Sequence, residues 1–330
     1  MKILVTGADG LLGSNLVREL LSRNYEVSAF LLDESIQYPG ISGLPLKLFY
    51  GNILDRTSID AAIAGHQVVI HAAASTQVNP PKVPIIWEVN VSGTRNVVEA
   101  CLQHGVQRLI HVGTANSFGP GSPAHPADEN SPSIAHLYGL DYFDSKLQAQ
   151  KLVLDAVAEK GLDAIVVNPT YMIGPYDSRP SSGAMILAIY NGKVPIYTTG
   201  SKTYIDVRDA AVAIANAIDM GEKGECYILG NFNLTYKEAF KLIATTIGVP
   251  APKFSLPKPL VMLFGKLGSL FGKMSGRIPT VSAEMARLSC EDHCYSGEKA
   301  RVKLNMPCSK LDDAIRDCFL WFEQNGYTKK

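Results

Sequence analysis

Tyr142 and Lys146 stand four residues apart in the segment YFDSK. On a helix, that spacing puts both side chains on one face. A lysine cation beside a phenol favours the phenolate and lowers the tyrosine's pKa. Such a tyrosine could trade a proton with a substrate hydroxyl near neutral pH. The same pair also occurs as plain surface packing, so the reading depends on what else the chain carries.

A second group of residues points the same way. TGADGLLG (6–13) places Gly7, Gly10 and Gly13 between an apolar run and an amphipathic one. Glycine permits the tight turn and lets the backbone approach a pyrophosphate. The N-terminus of the following helix offers free N–H groups and partial positive charge to that anion. The spacing is G-x-x-G-x-x-G rather than the common G-x-G-x-x-G, but the strand–turn–helix context is the one a dinucleotide site needs. Further on, the run FLLDES ends the next apolar segment, with Leu31 and Leu32 followed by Asp33. An acid near this point meets the ribose hydroxyls of NAD, whereas a cation suits the 2′-phosphate of NADP. No Lys or Arg lies between Arg23 and Lys47, and Asp9 in the glycine loop would repel a phosphate. The charge pattern therefore leans toward NAD, with Asp33 as either a ribose partner or a turn aspartate.

The elements that must position these residues follow from the pattern of apolar runs. Strands are expected at 2–7, 25–32, 44–51, 66–73, 107–113 and 162–169, and helices at 11–23, about 56–64, 85–104 and the stretch carrying YFDSK. Continuous apolar strands alternating with helices predict a doubly wound parallel sheet covered on both faces. After residue 170 Gly, Pro, Ser and Tyr become frequent, and shorter elements follow, including 207–219 and 225–230. The expectation is a dinucleotide-binding domain over 1–170 with parts of 205–235, and a smaller α/β substrate-binding region over 171–204 and 236–330. Residues 256–276 read as an apolar helix with spaced lysines, inside a stretch from Ala239 to Ala283 that has no acidic residue. Such a helix packs on the body, forms a lid or makes a peripheral membrane contact.

Bulk properties fit an enzyme rather than a polyanion binder. The chain has 330 residues, 46% of them apolar, and its 31 basic residues balance its 31 acidic ones. That gives no global pull toward nucleic acid or an anionic surface. No charged leader precedes a cleavable apolar run, no segment is long enough to span a bilayer, and the six cysteines are dispersed. A cytoplasmic protein with reduced thiols is expected. CEDHC (290–294) has poor spacing for zinc, and no metal is expected. His71 and His111 read as packed or hydrogen-bonded residues, Trp87 and Trp321 as packing residues, and Asp209 as a structural carboxylate near a helix start.

Taken in order, TGADGLLG, GNILD (51–55), VIHAAA (69–74), NVSGT (90–94), GTANSFG (113–119), YFDSK and NPTYMIGP (168–175) resemble the extended short-chain dehydrogenase/reductase family, also described as NAD-dependent epimerases/dehydratases. The resemblance spans nearly the whole chain. It is strongest to the dihydroflavonol-reductase-like branch and the bacterial hopanoid-associated sugar epimerases. It implies that Tyr142 is the acid/base. It implies that Lys146 binds the nicotinamide ribose and keeps the tyrosine pKa low. Thr114 would hydrogen-bond the substrate oxygen, with Asn116 and Ser117 as neighbours able to compete for that role. It places Gly7, Gly10, Leu11, Leu12, Gly13, Asp33, Asn52, Ile53, Ala72, Ala73, Ala74, Pro169, Thr170 and Met172 along the cofactor, with Asn52 at the adenine amino group. A homodimer built on the helices near 85–104 and 142–160 is also implied. The branch often carries arginine near Leu32, and this chain does not.

Two enzymatic readings follow. One is an NAD(P)-dependent oxidoreductase that interconverts a carbonyl and an alcohol on a small lipophilic substrate. The other is a nucleotide-sugar epimerase or dehydratase in which bound NAD is reduced and reoxidised within one cycle. The second should hold a diphosphate with cations, for which Arg179, Lys193, Lys202 and Arg208 are the available residues. A non-enzymatic redox sensor would not need Thr114, Tyr142 and Lys146 together.

Overall fold

The structure, a computed structural model, describes residues 1–275, 277–279 and 281–328. Its centre is a parallel sheet of strands β1 (Lys2–Thr6), β2 (Glu26–Leu31), β3 (Lys47–Tyr50), β4 (Val68–His71), β5 (Arg108–Val112), β6 (Ala164–Pro169) and β10 (Cys226–Leu229). Their order is β10-β6-β5-β4-β1-β2-β3. The six strands expected before residue 170 are all present and trimmed at their ends. The seventh, from ECYILG, joins the outer side of β6, with Cys226 opposite Val166.

Helices α1 (Leu11–Ser22) and α7 (Val207–Met220) cover one face, and α2 (Arg56–Ile63), α4 (Gly93–Gln103) and α5 (Asp141–Lys160) cover the other. The central strands are buried on both sides, which is why they read as unbroken apolar runs. Local chemistry sets several helix ends. Asp55 and Asp206 accept the amides of Thr57 and Arg208 as N-caps. Gly161, at φ 72°, closes α5 in the left-handed conformation that glycine tolerates. A short helix α3 (Pro84–Trp87) runs through a π-turn, Glu88–Ser92, into α4. The 85–104 helix is therefore not regular throughout, and the turn rotates Asn90 into the interior.

The strand order reverses between β1 and β4, and their carboxyl ends open the crevice where doubly wound sheets bind ligands. A smaller mixed sheet stands beside that edge. In it β9 (Ser201–Asp206) pairs with β7 (Tyr171–Ile173), β11 (Phe232–Thr235) and β13 (Asp292–His293). Helices α6 (Ala184–Tyr190), α8 (Tyr236–Thr246) and α12 (Leu311–Gln324) close a second core around Tyr204, Phe240 and Phe322. Trp321 packs in that core as expected. Trp87, also expected to pack, is 38% exposed and lies outside that core.

The pair β8 (Ile196–Tyr197) and β12 (Phe254–Ser255) leads to helices α9 (Lys258–Ser275) and α10 (Ala283–Cys290). The helix expected over 256–276 is thus present as α9, and Gly276 lies outside the described residues. Gly265 and Gly272 do not break α9. They form its contact face, where a Cβ on Gly265 would stand 2.5 Å from the Ala286 Cβ. The chain then passes through α11 (Glu298–Leu304), whose Ala300 and Leu304 return to the core of the large sheet.

Candidate active site

The glycine loop joins β1 to α1 as the sequence predicts. Gly7 sits at φ 69°, and a Cβ there would meet the Ala73 amide nitrogen at 2.7 Å. At Gly13 a Cβ would overlap the Gly7 carbonyl oxygen at 2.1 Å. These two glycines are therefore fixed by packing within the loop. Gly10 differs, because the nearest atom to its hypothetical Cβ is 3.5 Å away. It N-caps α1 without a side chain, so the backbone amides of Leu11, Leu12 and Gly13 have no intrahelical acceptors. An open cradle at a helix N-terminus fits a dinucleotide pyrophosphate. The side chains of Leu11 and Leu12 are buried, so these residues can offer that group only their backbone.

Other residues expected along the cofactor divide into two groups. Ala72, Ala73 and Ala74 follow β4 beside the loop and are half-buried. Asp33 lies two residues beyond β2, fully exposed, and its carboxylate accepts the Ser35 amide at 2.8 Å. Its pKa is lowered chiefly by that bond. Lys47 begins β3 opposite Ser28, while Leu31 at the other end pairs with Tyr50. The nearest downstream cation is thus at the opposite edge from Asp33. Asn52 is exposed, with its side-chain oxygen accepting the Leu54 amide at 3.0 Å. The buried side chain of Ile53 leaves only its backbone to offer a cofactor. That side chain packs into the core, where it fills the space a Cβ on Gly93 would take. Pro169 ends β6, the Thr170 hydroxyl donates to the Leu229 carbonyl at 2.9 Å, and Met172 lies half-buried in β7.

The three residues expected to be catalytic, Thr114, Tyr142 and Lys146, converge near the carboxyl end of β5. Thr114 follows β5, buried, as the N-cap of the single turn Ala115–Ser117. Its hydroxyl accepts from the Asn116 backbone and side-chain amides, both at 3.4 Å. Its own proton is then free to point at the Tyr142 phenol, whose pKa it lowers. The neighbours separate from Thr114 in role. Asn116 acts on Thr114, and the buried Ser117 hydroxyl has no partner among the described residues.

Lys146 behaves differently from the expectation. Its ammonium donates to the Val112 carbonyl at 2.6 Å, and burial lowers its pKa to about 8. It is not among the groups that move Tyr142, whose phenol is pushed above its ordinary range by burial. The phenol is thus protonated at neutral pH and suited to donate toward a carbonyl oxygen.

Several residues that hold this arrangement stand in the sequence motifs but carried no expected role. Asn90, from NVSGT, accepts the Ser75 amide at 2.8 Å and donates to the Ser75 carbonyl and the Ser145 hydroxyl, each at 3.0 Å. It ties the alanine wall to the helix bearing Tyr142. Asn168, from NPTYMIGP, donates to the Thr114 carbonyl at 3.0 Å and to Gln150 at 2.7 Å. His71 bridges the hydroxyls of Thr6 at 2.8 Å and Thr94 at 3.1 Å, across the switch point. His111 packs 5.4 Å from its ring, with neither nitrogen bonded among the described residues.

The cations considered for a diphosphate are mostly engaged. Arg179 pairs with Asp9, and Arg208 with Asp206 and Asp317. Lys202 lies over the rings of Tyr171 and Tyr236. Asp209, expected to be structural, accepts the amide and hydroxyl of Ser309.

The model of the NAD dependent epimerase/dehydratase family matches residues 3–230. The chain belongs to this family. A putative dihydroflavonol 4-reductase of Synechocystis sp. is 31% identical, with 98% of this chain and 95% of that one covered. Sterol demethylase protein B of Methylococcus capsulatus is 29% identical over 99% of each. The crystal structure of gox2253 superposes with a TM-score of 0.87 at 31% identity, over 99% of both chains. These relatives extend over the appendage as well as the large sheet.

Proposed function

We propose that this member of the family is an oxidoreductase that interconverts a secondary alcohol and a ketone on a lipophilic substrate, using NAD. The observation that carries the reading is the convergence of Thr114, Tyr142 and Lys146 at the carboxyl end of β5, in the same parallel sheet whose β1 leads into the glycine loop. NAD would rest its pyrophosphate on the amides at the start of α1, its adenosine ribose near Asp33 and its nicotinamide ribose near Lys146, and it supplies hydride acceptance or donation. Thr114 orients the substrate oxygen. Tyr142 gives that oxygen its proton in reduction and takes it back in oxidation. Lys146 holds positive charge behind the phenol, and Asn90 and Asn168 keep the two strand ends and the helix in register. The acid at Asp33 and the remoteness of Lys47 favour NAD over NADP.

The substrate class rests on two things. Three of the four basic residues of the 171–208 region, Arg179, Lys202 and Arg208, are tied to carboxylates or aromatic rings rather than left for a diphosphate, and Lys193 is exposed. The relatives include a dihydroflavonol reductase and a sterol demethylase component, which suggests a polycyclic alcohol or ketone handled by 171–204 and 236–330. The protein is further read as a cytoplasmic homodimer. Between α4 and α5 runs a groove of about 190 Å³ floored by Val98, Leu152 and Ala156 and edged by charged residues, where helices of a partner would meet.

Native mass spectrometry of the purified protein, followed by assay with sterol and dihydroflavonol alcohols, tests the reading. Reversible binding of added NAD and net reduced-cofactor formation are expected. Tightly retained NAD with no net turnover would instead place the chain with the internally redox-cycling epimerases and dehydratases.

A further inference from the structure

Helix α9 presents its large side chains the wrong way for a packing helix. Leu260, Leu263, Phe264, Leu267, Leu270, Phe271 and Met274 fall within an arc of roughly 120°. All are exposed, Leu263 by 51%, Phe264 by 58%, Phe271 by 64% and Met274 by 80%. The opposite side, with Val261, Gly265 and Gly272, is the one that packs on the α10 region. Ile278 and Val281, in the segment that follows α9, are exposed as well. A contiguous exposed strip of this size marks a docking surface.

Charge identifies the occupant. Lys266 and Lys273 stand at one edge of the apolar arc, Lys258 opens the helix, and Lys253 and Arg277 flank it, all exposed. No carboxylate occurs from Ala239 to Ala283 to answer them. A second copy meeting this strip across a two-fold axis would set lysines against lysines. A bilayer surface instead offers acyl chains to the leucines and phenylalanines and anionic headgroups to the cations. The helix is not built to cross, since no described helix is long and apolar enough and α9 keeps its glycine face on the protein.

We propose that α9 is an interfacial anchor that seats the protein on an anionic lipid surface. This goes beyond the reaction assigned above and stands without it, since it rests on the surface alone. Its placement is nevertheless connected to the site. Pro279, after α9, accepts a hydrogen bond from Asn79, which lies just beyond the alanine wall. Leu288 on α10 packs with the Tyr138 and Phe143 cluster that also holds Tyr142. The region of α9 and α10 is thus linked by direct contact to the wall and to the cluster beside Tyr142.

Flotation of the full chain with vesicles tests this. Vesicles of about two parts phosphatidylcholine to one part phosphatidylglycerol should carry the protein at least about tenfold better than phosphatidylcholine alone, and high salt should weaken the binding. Leu267→Glu/Phe271→Glu and Lys266→Glu/Lys273→Glu should each lower partition by about tenfold or more, with thermal melting and NAD binding unchanged. Because the charge-bearing variants could disturb α9 itself, Phe271→Trp provides a milder readout. The emission that this variant adds over wild type should shift to the blue with the mixed vesicles and be quenched by brominated acyl chains. The proposal is overturned if the wild type does not float with either vesicle, if the Leu267→Glu/Phe271→Glu protein floats like wild type, or if the added emission of Phe271→Trp is not quenched. A lipid-free dimer that the same double variant dissociates, with no vesicle binding, would overturn it in favour of a second copy.

Discussion

The ammonium of Lys146 is anchored 2.6 Å from the carbonyl of Val112, at the end of the strand that leads to Thr114. This contact anchors a buried cation one helical turn from Tyr142 without pairing the two. Lys146 ionises at about 8 in the folded chain, against 10.5 for the free side chain. Between those pH values the unfolded chain holds more protons, so stability rises with pH there. Below them both states are charged, and the full burial cost of roughly 3 kcal/mol applies. A lost hydrogen bond and an unpaired Val112 carbonyl would offset about 1–3 kcal/mol of that. Lys146→Met is therefore expected to be about as stable as wild type or up to about 2 kcal/mol more stable at pH 7, while losing activity. The stability difference should move against the variant as pH rises toward about 10. Urea unfolding at both pH values checks this, and a large loss of stability at pH 7 would contradict it.

The two neighbouring histidines give opposite predictions. His71 bridges two hydroxyls, whereas neither nitrogen of His111 is bonded among the described residues. Burial keeps both neutral, His71 down to about 3 and His111 well below its ordinary value. As pH falls below 6.5 the unfolded chain gains protons that the folded chain refuses, and stability falls by up to about 1.4 kcal/mol per pH unit for each. His111→Leu should be neutral or stabilising at pH 7 and should flatten this acid limb. His71→Leu should cost about 1–3 kcal/mol at pH 7, because it leaves buried hydroxyls short of a partner. Thermal melts from pH 7 to pH 5 read both effects.

The glycines of the loop should separate by role. Gly7→Ala and Gly13→Ala force a methyl into backbone at 2.7 Å and 2.1 Å and should destabilise the fold. Gly10→Ala meets nothing closer than 3.5 Å. It should melt within about 0.5 kcal/mol of wild type yet bind NAD about tenfold or more weakly. Calorimetric NAD titration beside thermal melts distinguishes these cases. A Gly10→Ala protein with wild-type affinity would show that the cradle lies elsewhere.

The large sheet was legible because its strands are buried on both faces and so read as unbroken apolar runs. Gly7 and Gly13 were legible because backbone geometry admits only glycine there. The placement of Tyr142 and Lys146 one turn apart on a single helix was legible from the sequence. The partner of the lysine was not, since Val112 lies 34 residues away and is met only through the fold. Asn90 stood in a quoted motif, but its inward aim depends on a π-turn that no periodicity announces. That the Ile53 side chain fills the hollow above Gly93 was not legible, since the two meet only through the fold. Trp87 read as a packing residue by its type alone, yet it is left 38% exposed.

The central claim is that Tyr142 moves the proton while NAD moves the hydride. The most direct test compares wild type with Tyr142→Phe for reduced-nicotinamide formation from NAD and a panel of sterol and dihydroflavonol alcohols, with NAD affinity measured on both proteins. The account predicts wild-type turnover with at least one of these alcohols, unchanged NAD binding in the variant, and a fall in kcat of about a hundredfold or more. A Tyr142→Phe protein that turns over at the wild-type rate would contradict it.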